Sequence, residues 1–136
     1  YHYSAKYIPK SKDSSGMPTV GDISTKAPFK QAEYDGKKPY FLDEFGGIKC
    51  LEANPSKDSK TKSWGYGKST VTKEEFYQRL EGQIDALLSI SEQVWGYCYT
   101  QLTDVEQEEN GIYLYDRTPK YDAARLKAIF GKNPTK

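Results

Sequence analysis

The chain has one histidine and two cysteines among its 136 residues. A single imidazole at position 2 and thiols at 50 and 98 give neither the ligand number nor the spacing of a zinc site, and two cysteines make no disulfide framework. No cofactor or metal is therefore expected. Cys98 stands in an apolar run and reads as a small buried filler. Neither sign of charge is in excess: 20 basic and 19 acidic side chains leave a net charge of +1. That balance offers no electrostatic footprint for nucleic acid or an anionic membrane surface. Apolar stretches fall far short of the roughly 20 residues of a membrane span. No basic segment followed by an apolar one opens the chain, so no signal peptide is visible; the compartment stays open, with the cytoplasm slightly favoured. The first residue is Tyr1 rather than Met, which leaves room for a start elsewhere. Aliphatic side chains are scarce as well. The hydrophobic fraction is 36%, against roughly 45–50% for ordinary globular domains, and the mean hydropathy is −0.85. The length fits one domain with a modest core.

The aliphatic deficit lies mainly in residues 1–38. There Pro9, Gly16, Pro18, Gly21, Pro28 and Asp35-Gly36 interrupt any periodicity, and a loop-rich segment is expected. Tyr40 to Asp43 reads as a short strand. A long connection from Gly47 to about Thr70 follows, and loops of that length inside compact domains are usually functional or disordered. Thr72 and Glu75 form a capping box. Phe76, Leu80, Ile84, Leu87 and Leu88 then recur at helical spacing, which predicts an amphipathic helix over 73–89. Val94 to Tyr99 is nearly all apolar and predicts a second, buried strand. A polar tip, Thr100 to Asp104, leads into an acidic run and Asn110-Gly111. Thr118-Pro119 fits the start of a last helix, whose apolar face is Leu126, Ile129 and Phe130 and whose C-terminal cap is Gly131. Strand, helix, strand, helix is the element pattern of a parallel sheet. Two strands cannot close a barrel or bury their own faces, so the chain reads as a piece.

The segment most suggestive of chemistry is Pro39 to Ile48. An apolar run ends at Glu44, and Gly46 and Gly47 follow at once. A parallel barrel presents a catalytic acid in this way, from the C-terminal tip of a buried strand. The alternative is a strand ending in a surface turn with Glu44 merely solvated. Trp64 and Tyr66, set among Gly65 and Gly67, invite two readings: exposed rings that stack on a flat ligand, or rings that pin the loop to the core.

Residues 39–49 and 94–117 resemble the last two strands of the catalytic barrel in glycoside hydrolase family 2, the β-galactosidase, β-glucuronidase and β-mannosidase group. Asp43-Glu44-Phe45-Gly46-Gly47 looks like its seventh-strand motif. Trp95 to Glu108, followed by Asn110 to Arg117, looks like the eighth strand of one bacterial branch, and Ser63 to Gly67 fits the same branch. The likeness covers 39–130. It implies a partial (β/α)8 TIM barrel, the last two to three β/α units: 1–38 ending strand six and 39–136 carrying strands seven and eight. It also implies that Glu44 is the nucleophile, that the substrate is a β-glycoside, and that the remainder of the parent barrel is a partner. Trp64, Thr100, Gln101, Asp104 and His2 are the implied sugar-binding positions.

Two departures stand beside the likeness. Many members carry tryptophan where this chain has Thr100. The family's acid/base glutamate follows an asparagine, and no Asn-Glu pair occurs here: Asn54, Asn110 and Asn133 precede Pro, Gly and Pro. A retaining glycosidase needs two carboxyl groups roughly 5–5.5 Å apart. The expectation is thus a chain that holds the nucleophile and is inactive alone, with unpaired strand edges that invite dimerisation. An ionised Glu44 needs donors, for which Gln101 and Thr103 are the candidates. The run Asp104 to Glu109 reads as a solvated loop rather than a source of the missing acid. Another class remains open: an aromatic-rich carbohydrate-binding module, built on the 14% of residues that are aromatic, twelve of them Tyr.

Overall fold

The computed structural model describes residues 40–54, 63–92 and 94–134. The loop-rich segment 1–38, His2 and residues 55–62 lie outside them. The element order is β1 (Tyr40–Gly46), α1 (Lys73–Leu88), β2 (Val94–Thr100) and α2 (Ala123–Phe130). β1 and β2 pair in parallel as a two-stranded sheet.

Their register is broken where it matters. Leu42 pairs with Tyr97 and Phe45 with Tyr99, so the ladder is irregular between Leu42 and Phe45. Simple alternation cannot turn residues three apart to the same side. Here both enter the core, at 2% and 1% exposure, because the irregularity absorbs the extra residue. Asp43 and Glu44 sit in this break, Asp43 exposed and Glu44 half-buried.

The core joins Leu42, Phe45, Ile48 and Cys50 to the apolar faces of both helices. Phe45 meets Tyr97 and Tyr99 edge-on, with ring centres 5.1 and 5.6 Å away. Tyr99 in turn meets Phe130 of α2 at 5.3 Å. α1 buries Phe76, Tyr77, Leu80, Gln83, Ile84 and Leu87, the stripe its periodicity implies. Phe76 stacks on Tyr121 at 3.8 Å and 10°.

The helix ends differ from expectation in instructive ways. Thr72 Oγ1 accepts from the Glu75 backbone N–H at 3.2 Å, as a capping residue should. The reciprocal bond is displaced by one residue, the Glu75 carboxylate accepting from Val71 N–H at 2.7 Å. α2 starts at Asp122 rather than at Thr118-Pro119: Asp122 Oδ1 caps Arg125 N–H at 2.7 Å. Thr118 instead closes a turn, its N–H donating to Asp116 Oδ1 at 2.9 Å and its carbonyl accepting from Leu114 N–H at 2.9 Å. Tyr77 Oη in α1 accepts the Asp122 N–H at 2.7 Å and so fastens the start of α2. Gly131 does cap α2, though at φ −85° and not in a left-handed turn.

β2 is less buried than its composition implies. Val94 is buried, Trp95 is 73% exposed, and Cys98 is exposed rather than a core filler. Composition gives the strand's affinity for a core. Burial on both faces needs layers that two strands and two helices do not supply. Among the described residues no helix is long and apolar enough to cross a membrane.

Two stability measurements check this packing. Gly82 lies exposed within α1, and a Cβ there meets nothing within 4 Å. Gly82→Ala should therefore stabilise the chain by about 0.5–1 kcal/mol, seen as a higher urea midpoint with the denaturant slope unchanged. Tyr77→Phe removes a bond and leaves the Asp122 amide without it, and should destabilise by about 1 kcal/mol. Tyr99→Phe should be neutral or stabilising, because the Tyr99 hydroxyl is buried with no hydrogen-bond partner. Equal losses for the two tyrosine variants would contradict this assignment.

Candidate functional site

The site forms where the chain leaves β1. Gly47 has φ +60°, and its N–H donates to Thr100 O at 2.6 Å, carrying the parallel ladder one step beyond the strand. Its carbonyl accepts from Tyr66 N–H at 2.7 Å. A Cβ on Gly47 would lie 1.9 Å from Tyr66 Cδ2, so only glycine lets the tyrosine ring lie over the strand tip. From that position Tyr66 Oη donates to Glu44 Oε1. Burial pushes the Tyr66 phenol well above the ordinary tyrosine range. The hydrogen bond to Glu44 and the charge of Glu108 push in the same direction. The phenol is therefore a proton donor throughout the neutral range, suited to an ionised carboxylate.

The segment carrying Tyr66 is held on both sides. Trp64 N–H donates to Gln107 O at 2.8 Å, and Glu109 N–H to Trp64 O at 2.9 Å. Lys49 Nζ donates to Ser63 Oγ and pairs with Glu109 at 3.2 Å. The two loop aromatics are placed differently. Tyr66 pins the loop to the strand tip. Trp64 stacks on Tyr66 at 6.0 Å and 28° and remains 48% exposed, an aromatic face open beside Glu44's hydrogen-bond partner.

The acidic run is solvated only in part, at Val105, Glu106 and Gln107. Asp104 is 5% exposed; its Oδ1 accepts from Lys120 Nζ and from Gly111 N–H, the latter at 2.8 Å. Burial pulls the Lys120 ammonium below its ordinary range, and the Asp104 hydrogen bond and charge oppose that pull. Asp104 thus ties together the segment after β2. Gln101 likewise turns its amide to Asn110 Oδ1, at 2.7 Å, and is not the donor to Glu44. Asn110, with no exposed surface, passes its own amide to Glu108 Oε1 at 2.9 Å. Thr100 stands half-exposed at the strand tip, and Thr103 bridges to Tyr113. Glu106 is exposed at φ +51°. His2 lies outside the described residues.

Sequence reasoning missed Tyr66 as the donor and the hydrogen-bonded series Gln101, Asn110 and Glu108 after β2. The one available signal was an Asn-Gly turn placed two residues after a glutamate. Among the described residues no group of three or more His, Cys, Asp or Glu side chains could hold a metal ion. No protein-family model and no curated protein matches the chain.

Alkaline titration tests the phenol environments. Tyr66, Tyr99 and Tyr121 are all shifted upward, chiefly by burial. A folded-state value above the unfolded one, about 10, gives stability that is complete below that pH. It is lost as the pH climbs toward the folded value. Stability should therefore fall steeply above about pH 10, with part of the phenolate absorbance appearing only as the chain unfolds. Tyr66→Phe should make the fall shallower. Reversible ionisation of all twelve tyrosines with no unfolding step would contradict it.

Proposed function

We propose that this chain is the C-terminal barrel segment of a retaining β-glycosidase, β-galactosidase-like, in which Glu44 is the nucleophile. The observation that carries this reading is the bond from a phenol that keeps its proton, on Tyr66, to a half-buried carboxylate at a bulged strand tip. A glycosidase nucleophile must be ionised to attack the anomeric carbon and must then leave it when water arrives. A neutral donor serves both steps, because it stabilises the carboxylate without the strong hold of a buried cation. Trp64 offers the apolar surface on which a sugar face stacks. Thr100 and Gln101 edge the same tip. The second carboxyl group, acid in the first step and base in the second, belongs to the remainder of the parent barrel, since no Asn-Glu pair occurs in these 136 residues.

Aryl β-galactoside, β-glucuronide and β-mannoside should show no turnover with this chain above that of Glu44→Gln. A longer form that adds the strand with the Asn-Glu pair should hydrolyse one of them. A 2-deoxy-2-fluoro glycoside should then leave its sugar on Glu44, read by mass spectrometry of the peptides. An inert longer form, or a label elsewhere, would sink the proposal. Sugar binding by this chain that survives Glu44→Gln, with no turnover in any form, would favour a carbohydrate-binding module instead.

A further inference from the structure

Three stretches of chain meet at the Glu44 end of the sheet, none of them in a helix or a strand: 47–50 after β1, 63–66, and 107–109 after β2. Backbone bonds run from the middle stretch to each side. Tyr66 N–H reaches Gly47 O, and Trp64 exchanges bonds with residues 107 and 109. Two side chains join the outer stretches directly. Asn54 Nδ2 donates to Cys50 O at 2.9 Å and to Glu109 O at 3.1 Å. Lys49 does more, because its Nζ donates to Ser63 Oγ and lies 3.2 Å from Glu109 Oε2. One side chain therefore links all three stretches.

The surroundings hold Lys49 in this place. It is 9% exposed. Glu109 Oε2 is buried and accepts no hydrogen bond among the described residues, so the Lys49 charge beside it offsets its burial. The backbone of the middle stretch rides on Lys49 as well: a Cβ on Gly65 would lie 2.6 Å from Lys49 Cβ and 2.9 Å from Lys49 N. Ser63 immediately precedes Trp64, whose ring stacks on Tyr66 at 6.0 Å, and the Tyr66 hydroxyl bonds Glu44. We propose that Lys49 is a positioning residue, a latch that holds 63–66 between the ends of β1 and β2 and so sets the Trp64 and Tyr66 rings beside Glu44. An ammonium suits this task. It carries three donors on one point and can serve a hydroxyl and a carboxylate that arrive from different segments. The bearing of the latch on glycoside cleavage rests on the glycosidase reading; the latch itself does not.

Fluorine NMR of the full chain labelled with 5-fluorotryptophan reads the latch. The two tryptophans report on different places: Trp64 on the latched stretch and Trp95, second residue of β2, as an exposed reference. Trp95→Phe assigns the signals. Ser63→Ala removes the Lys49 bond and leaves the pair with Glu109. It should carry the Trp64 signal toward that of the urea-unfolded chain while the Trp95 signal stays. Lys49→Met combined with Glu109→Gln, which leaves no unpaired charge behind, should do the same. Ser63→Thr, which keeps the hydroxyl beside Trp64, should hold the Trp64 signal in place. A Trp64 signal that moves no further in Ser63→Ala than in Ser63→Thr would overturn the proposal. Equal displacement of both tryptophans would overturn it too, since that reports a general loosening. Should the double variant fail to fold, the comparison of Ala with Thr at position 63 decides it alone. No hydrolysis enters the readout, so an inert longer form would remove the glycosidase reading and leave this result standing.

Discussion

Gly47 carries three segments on one residue. Its N–H closes on Thr100 O and its carbonyl on Tyr66 N–H, at 2.6 and 2.7 Å. The first bond fixes the tip of β1 to the tip of β2, and the second lays the 63–66 segment across both. Neither bond depends on a side chain, yet both require that this residue have none, because the Tyr66 ring occupies the space of a Cβ. The bond from Tyr66 to Glu44 and the stacking of Trp64 on the Tyr66 ring both follow from that placement. Glu44 itself is aimed by the neighbouring irregularity in the ladder. Without it Leu42 and Phe45 could not both be buried, and Glu44 would alternate with one of them.

The segment after β2 answers a different demand. It crosses the sheet end without regular structure, so its polar groups need partners of their own. Lys120 and Asp104 supply them at a cost: burying both charges is unfavourable unless the geometry is good, and breaking such a pair is worse than never having it. The Gly111 amide on Asp104, the Tyr113 carbonyl on the Asp104 amide at 3.0 Å, and the Thr103–Tyr113 bridge surround the pair with bonds. An ion pair in this position works less as a source of stability than as a way to give an irregular segment one shape. That shape sets the Asn110 amide between Gln101 and Glu108.

What could be read from the residues divides along physical lines. α1, β1 and β2 were legible because their apolar spacing is a local property. The start of α2 was misplaced because Thr118-Pro119 is as good a local signal as Asp122. What selects Asp122 is the Tyr77 hydroxyl, 45 residues away in sequence. Cys98 and Trp95 were misjudged for a related reason, since composition measures preference for a core and not whether one is available. Glu44 stands out by its two following glycines, and Gly47 is needed there to make room for Tyr66. Asp104 looked like a solvated acid because an acidic run normally repels burial. Only Lys120, supplied from beyond a turn, reverses that.

The exposed apolar surface bears on the same question from the other end of the sheet. Phe41 is 59% exposed and Trp95 73%, and a groove of about 650 Å³ opens between α1 and the start of β2, lined by Leu87, Leu88, Val94, Trp95 and Tyr97. Two parallel strands with a helix after each cannot cover both faces and both edges of their own sheet. The side chains of β1 and β2 are nonetheless those of strands meant to be covered, with Phe41 packed close over Gly96 and aromatics on both faces. The proposed barrel would account for this exposure. There, strands that completed the sheet would also carry the second carboxyl group that reading requires beside Glu44, and the open apolar surface and the missing carboxyl would share a cause.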